Sequence, residues 1–177
     1  MLFRSTTTDA ALSGESAHLR TFPDGSGFAV VVLANGAVLK LADGTATTGG
    51  KVVWKKELNQ GFDNVDGAHP LMLADSSMVV GHRLRKNATE KWSRFTRISS
   101  LGTVAWSTLM RRRIARDITG ATQLGSGTIV FVGWFIHPVG RADRWATAIS
   151  PTGKVLWNER RGRSREIIGA AAGGPGW

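Results

Sequence analysis

Apolar residues along this chain fall in short runs punctuated by Gly, Pro, Asp and Ser, and no run keeps a helical period of 3.6 residues. Phe28 to Leu33 (FAVVVL), Met78 to His82 (MVVGH) and Ile129 to Phe135 (IVFVGWF) are β-branched and aromatic. They are too short for helices, which predicts strands buried on both faces. A turn precedes each: PDGSG from Pro23, ADSS from Ala74 and LGSG from Leu124. These residues supply positive φ or side-chain turn bonds, so each turn reads as a hairpin. A further segment follows each run, AVLKLA from Ala37, KWSRFTRIS from Lys91 and RWATAIS from Arg144. Trp92, Arg94, Thr96 and Ile98, like Trp145, Thr147 and Ile149, line one face at period two, which again predicts a strand.

These runs recur with a long period. Gly50-Lys51-Val52-Val53-Trp54, Gly102-Thr103-Val104-Ala105-Trp106 and Gly153-Lys154-Val155-Leu156-Trp157 are variants of one string, with tryptophans 52 and 51 residues apart. Ala17, Ala68, Ala121 and Ala170 open successive units. A period of this length marks an array of supersecondary units. Four short strands per unit predict an all-β fold, a partial β-propeller of three four-stranded blades plus the first strand of a fourth. The blades are expected over residues 16–60, 66–112 and 119–163, with 167–177 opening the fourth. Val52 and Trp54, and their counterparts, share a face. The tryptophans are expected to be buried packing residues rather than ligand platforms.

The string from Ala148 to Trp157 (AISPTGKVLW) resembles the blade-closing strand of bacterial tryptophan-rich propeller repeats, including those of the pyrroloquinoline-quinone type. The likeness recurs three times along the chain and implies a fold more than an activity. Ser150 stands where that pattern has an aspartate, one residue fewer precedes Thr152-Gly153, and the other two copies lack the Thr-Gly pair. A closed ring needs about 4–8 blades. Three blades and an opening strand read as a fragment of a longer propeller, or as half of a six-bladed ring closed by a homodimer.

Charge adds a direction to this picture. Lys and Arg number 23 against 13 Asp and Glu, a formal net charge of +10. In a four-stranded meander, the second connection and the link to the next unit lie at one end. The second connections carry Arg83 and Arg85, with Lys86, Lys91, Arg141 and Arg144. The links carry Arg111, Arg112, Arg113 and Arg116, then Arg160, Arg161, Arg163 and Arg165, besides Lys55 and Lys56. Sixteen of the 23 basic residues therefore gather at one end, facing eight of the 13 acids. Arginine forks pair bidentately with carboxylate, phosphate and sulfate. Of these, Arg83, Arg85, Arg111, Arg112, Arg113, Arg116, Arg160, Arg161, Arg163 and Arg165 form the candidate binding face for an anionic partner, first a protein, with glycan or nucleic acid behind it.

Candidate chemistry is sparse. Asp63, Asp66 and His69 lie three apart in a segment read as loop and strand, and His18 and His69 fall at equivalent repeat positions; both sets read as ordinary strand and loop residues. Neither a nucleophile elbow nor a phosphate-cradling loop is present. No catalytic, cofactor-binding or metal-binding residue is named, and no cofactor is expected. The chain lacks cysteine, any apolar run of about 18 residues, and a basic-then-apolar start. It reads as neither exported nor membrane-spanning, and no compartment is assigned. The expected function is a non-catalytic binding or scaffold module. The alternative is a fragment of a propeller enzyme, quinone-dependent or hydrolytic, whose active site lies outside this chain.

Overall fold

The computed structural model describes residues 17–25, 28–32, 37–41, 52–58, 64–85, 87, 91–111, 117–136 and 142–161. These residues form strands and turns without a helix, so none crosses a membrane as a helix. The first sheet is β1 (Ala17–Thr21), β2 (Phe28–Val32), β3 (Ala37–Leu41) and β4 (Val52–Glu57). The second is β5 (Asn64–Met72), β6 (Met78–Arg85), β7 (Lys91–Ile98) and β8 (Val104–Met110). The third is β9 (Asp117–Gln123), β10 (Ile129–Ile136), β11 (Ala142–Ile149) and β12 (Val155–Arg161). Each is an antiparallel meander in sequence order. β5 runs beside both β1 and β9, so the first strands of successive sheets are neighbours.

The apolar runs become the second strands, and one of them extends further than its apolar residues. β6 continues through Arg83 to Arg85, whose backbone still pairs with Lys91. Charged residues can prolong a strand end because their heads reach water while the backbone ladder stays closed. For the same reason Arg160 and Arg161, expected in a connection, belong to β12, and Asp117 opens β9. The expected fourth opening strand, 167–177, lies outside the described residues.

First turns are built alike. The amides of Gly25, Ser76 and Gly127 donate to the carbonyls of Phe22, Leu73 and Leu124, at φ of 70°, 58° and 79°. Third turns repeat as well: Ser99 and Ser150 accept through Oγ from the amides of Thr103 and Lys154, at 3.1 and 3.0 Å. Ser150 thus closes its turn through a side-chain oxygen, the bond an aspartate there could also accept.

The core lies between sheets. Phe22, Val38, Leu58, Ala68, Met78, Val80 and Ile98 pack the first sheet on the second. Leu73, Val79, Phe95, Met110, Ile118, Ile129, Phe131, Trp145 and Ile149 pack the second on the third. Phe95 has its ring 4.7 Å from Phe131 and stacked 6.3 Å from Trp145. Adjacent residues of β6 face opposite ways, so the second sheet is buried on both faces, as a continuous apolar run requires.

The signature tryptophans close these seams from the rim. Trp54 donates its indole N–H to the Ser100 carbonyl at 3.0 Å, and Lys40, its cross-strand partner, donates to the same oxygen at 3.1 Å. One sheet along, Trp106 and its partner Arg97 donate to the Pro151 carbonyl at 2.9 and 3.2 Å. Each ring lies over a glycine of the next sheet's third turn. A Cβ on Gly102 would come within 2.8 Å of Trp54, and one on Gly153 within 2.8 Å of Trp106. Both glycines have positive φ, 82° and 88°. The expectation of buried tryptophans needs correcting here. Trp54 and Trp106 are half-buried clamps on a neighbouring sheet, Trp157 is 42% exposed, and among the described residues the fully buried tryptophan is Trp145.

Candidate functional site: the basic end of the sheets

Strand register decides which side chains crowd the end opposite these turns. In the second sheet Arg85 stands across from Lys91 and, three pairs inward, His82 stands across from Arg94. In the third, Arg144 stands across from Arg161, and Trp145 from Arg160. Arg111 follows β8, directly beyond the Ser93 and Met110 pair. Basic residues therefore meet across strands at the same end of two consecutive sheets. Like charges placed this way destabilise a sheet by a few tenths of a kcal/mol, and a bound anion removes that cost.

Two of these guanidinium groups are held flat by aromatic rings. Arg111 lies 4.3 Å over the Trp92 ring, and Arg160 lies 4.5 Å over that of Phe135. Arg160 also reaches the nearly buried Asp143 at 3.2 Å, so part of its charge is answered within the sheet. Arg111 and Lys91 are exposed, whereas Arg83, Arg85 and Arg144 are half-buried. Arg144 Nη1 is shielded from water with no hydrogen bond among the described atoms. Of the ten arginines expected at the face, the structure brings Arg83, Arg85, Arg111, Arg160 and Arg161 to this end. Arg112, Arg113, Arg116, Arg163 and Arg165 lie outside the described residues, as does their neighbour Arg141.

Deeper at the first seam lies a polar pair that the sequence did not place together. The Leu58 carbonyl receives Arg94 Nη1 at 3.0 Å and faces His82 Nε2 at 3.3 Å. His82 is wholly buried; desolvation first, then the Arg94 charge, push its pKa down to about 4. The ring is therefore neutral at pH 7, Nε2–H donates to Leu58, and Nδ1 is buried without a partner. Burial also draws the Arg94 pKa below its ordinary value. The sequence signal was present in hindsight: Arg94 alternates with Trp92 and Thr96 on a core-facing stripe, where an arginine needs a carbonyl to meet.

His18 and His69 fall on the first strands β1 and β5, and Asp66 is also on β5, while Asp63 lies outside the described residues. Among the described residues no three His, Cys, Asp or Glu side chains gather as a metal set. What the basic end can do chemically is offer several fixed, planar, charged donors to a carboxylate, phosphate or sulfate group. No protein-family model matches this sequence, and no curated protein matches it either.

Proposed function

We propose that the three sheets are blades of a β-propeller and that the chain is a non-catalytic binding module, which engages an acidic protein partner through its basic end. The propeller reading is supported by the adjacency of first strands and by a seam whose parts repeat from Trp54 to Trp106. The binding reading rests on one observation above the others, the register that sets Arg85 across from Lys91 and Arg144 across from Arg161 at one end. Arginine is enriched where charge is desolvated against a partner, and a ring beneath it reduces the entropy lost on contact.

The test uses the full chain and a poly-glutamate peptide as probe, with a sulfated glycan and a single-stranded oligonucleotide alongside. Affinity for the peptide should fall steeply as salt rises, because the contact is between charges screened by ions. Arg85→Glu, Lys91→Glu and Arg111→Glu together should weaken it by ten-fold or more. Binding that is indifferent to this charge reversal refutes the reading. Retention of the oligonucleotide alone transfers it to nucleic acid.

A further inference from the structure

The second and third sheets end alike at their basic ends, on the side that faces the preceding sheet, but differ in one residue. Register sets Leu84 across from Trp92 and Phe135 across from Asp143, each pair six residues along from the matching pairs Met78–Ile98 and Ile129–Ile149. These four residues therefore hold equivalent places, the first two at the seam between the first and second sheets, the others at the seam between the second and third. Both places carry an arginine laid on an aromatic ring, Arg111 over Trp92 and Arg160 over Phe135. Arg111 stands two residues beyond Leu109, the counterpart of Arg160, and alternation returns it to the same side. In the third sheet the arrangement is completed from within: Asp143, its side chain 4% exposed, meets Arg160 Nε through Oδ2 at 3.2 Å. In the second sheet Trp92 stands where that carboxylate would be, and no acid among the described residues pairs with Arg111.

We propose, resting on the binding reading above, that Arg111 on its Trp92 platform sets specificity at the basic end by taking one side-chain carboxylate of the acidic partner, as Arg160 takes Asp143. A cation–π contact uses the charge of the guanidinium and none of its N–H groups, so the five donors of Arg111 stay available to a ligand in the guanidinium plane. The ring orients the fork before contact, which lowers the entropy lost when two parallel N–H···O bonds form. Trp92 is a firm platform, half-buried beside the wholly buried Leu84. The neighbouring cations suit the task less well. Arg160 already meets Asp143, Arg94 donates Nη1 to the Leu58 carbonyl at 3.0 Å, and Lys91 offers a point charge without a fork. Arg94 shares the Trp92 face two residues inward, so its charge adds to the pull on an anion held by Arg111.

Three variants of the full chain, each titrated with a poly-glutamate peptide across a salt series, separate a fork from diffuse charge. Arg111→Lys keeps the charge and loses the fork, and Trp92→Leu keeps the charge and loses the ring. Lys91→Gln loses a charge at the same end and keeps both. The first two should each weaken binding by about ten-fold with the slope of affinity against salt unchanged, and Lys91→Gln by only about two-fold with a shallower slope. Arg111 is exposed, so its lysine variant keeps the fold. Circular dichroism and urea midpoints check Trp92→Leu, and if that variant unfolds Arg111→Lys decides. A folded Arg111→Lys or Trp92→Leu that binds like the unmodified chain overturns the proposal, as does Lys91→Gln weakening binding as much as they do. Either result leaves the binding reading standing wherever the triple charge reversal still weakens the peptide contact. An unmodified chain that ignores the peptide removes both.

Discussion

Replacing Gly153 with alanine isolates the seam between the second and third sheets, because Gly25 provides its control. Both glycines sit in turns at positive φ, 88° and 70°, so alanine strains the backbone at either position. That strain costs about 1–2 kcal/mol. The surroundings differ: a Cβ at Gly25 meets nothing within 4 Å, whereas at Gly153 it falls 2.8 Å from the Trp106 ring. Real Cβ atoms do not approach that closely, so the indole must lift and its bond to the Pro151 carbonyl breaks. A lost hydrogen bond of this kind costs about 1 kcal/mol, and partial unpacking of the ring costs about 1 kcal/mol more. Gly153→Ala should therefore destabilise by about 3–4 kcal/mol and Gly25→Ala by about 1–2 kcal/mol. With a urea slope of about 2 kcal/mol per M, the midpoints should differ by about 1 M. Equilibrium urea unfolding followed by tryptophan fluorescence and by circular dichroism measures both. Equal losses in the two variants would falsify the claim that the ring rests on Gly153.

Three further outcomes are expected. His82 has a folded pKa of about 4 against 6.5 for the free side chain, so the folded protein binds fewer protons below pH 6.5; stability is complete above that value and declines by about 3 kcal/mol as pH falls to 4. His82→Gln, which can still donate to Leu58, should flatten the profile between pH 7 and 5, and an unchanged acid loss in that variant counts against the assignment. Phe95→Ala, at the centre of the stack with Phe131 and Trp145, should cost about 3–5 kcal/mol in urea unfolding, while Leu101→Ala stays within about 0.5 kcal/mol. Ser76 occupies the positive-φ turn position that glycine fills in the other two sheets, so Ser76→Gly should raise stability by about 0.5–1 kcal/mol in the same assay; a loss would show that the Ser76 side chain contributes more than the strain it bears.

Much of the fold is legible in period-two stripes and in the spacing of the tryptophans. Alternation tells which residues share a face, so Trp145, Thr147 and Ile149 are readable as one stripe, and all three prove buried. What alternation cannot tell is what stands opposite. Each signature tryptophan follows a glycine by four residues, which invites the reading of a local pair, yet Trp54 rests on Gly102 and Trp106 on Gly153. The partner belongs to the next unit because the contact forms between sheets, a relation that periodicity within a unit does not encode. The basic end divides similarly. Turn positions predict its location from connectivity alone. Desolvation at the first seam, which sets Arg94 and His82 on one carbonyl, depends on how closely two sheets approach.

The clamps all point one way along the chain, from a tryptophan to a turn about fifty residues later, and this gives the array a polarity. Removing the last sheet strips the acceptors from Trp106 and from one arm of Arg97, so the damage travels upstream into the second sheet. Removing the first sheet takes away Trp54 and Lys40 but leaves the clamp at Trp106 whole. In an array whose stability is a sum over nearest neighbours, the two ends are then unequal. Cleavage at the downstream end should therefore loosen Trp106 and Arg97 of the second sheet, whereas cleavage at the upstream end should loosen His82 and Arg94 of the same sheet, which lose the Leu58 carbonyl.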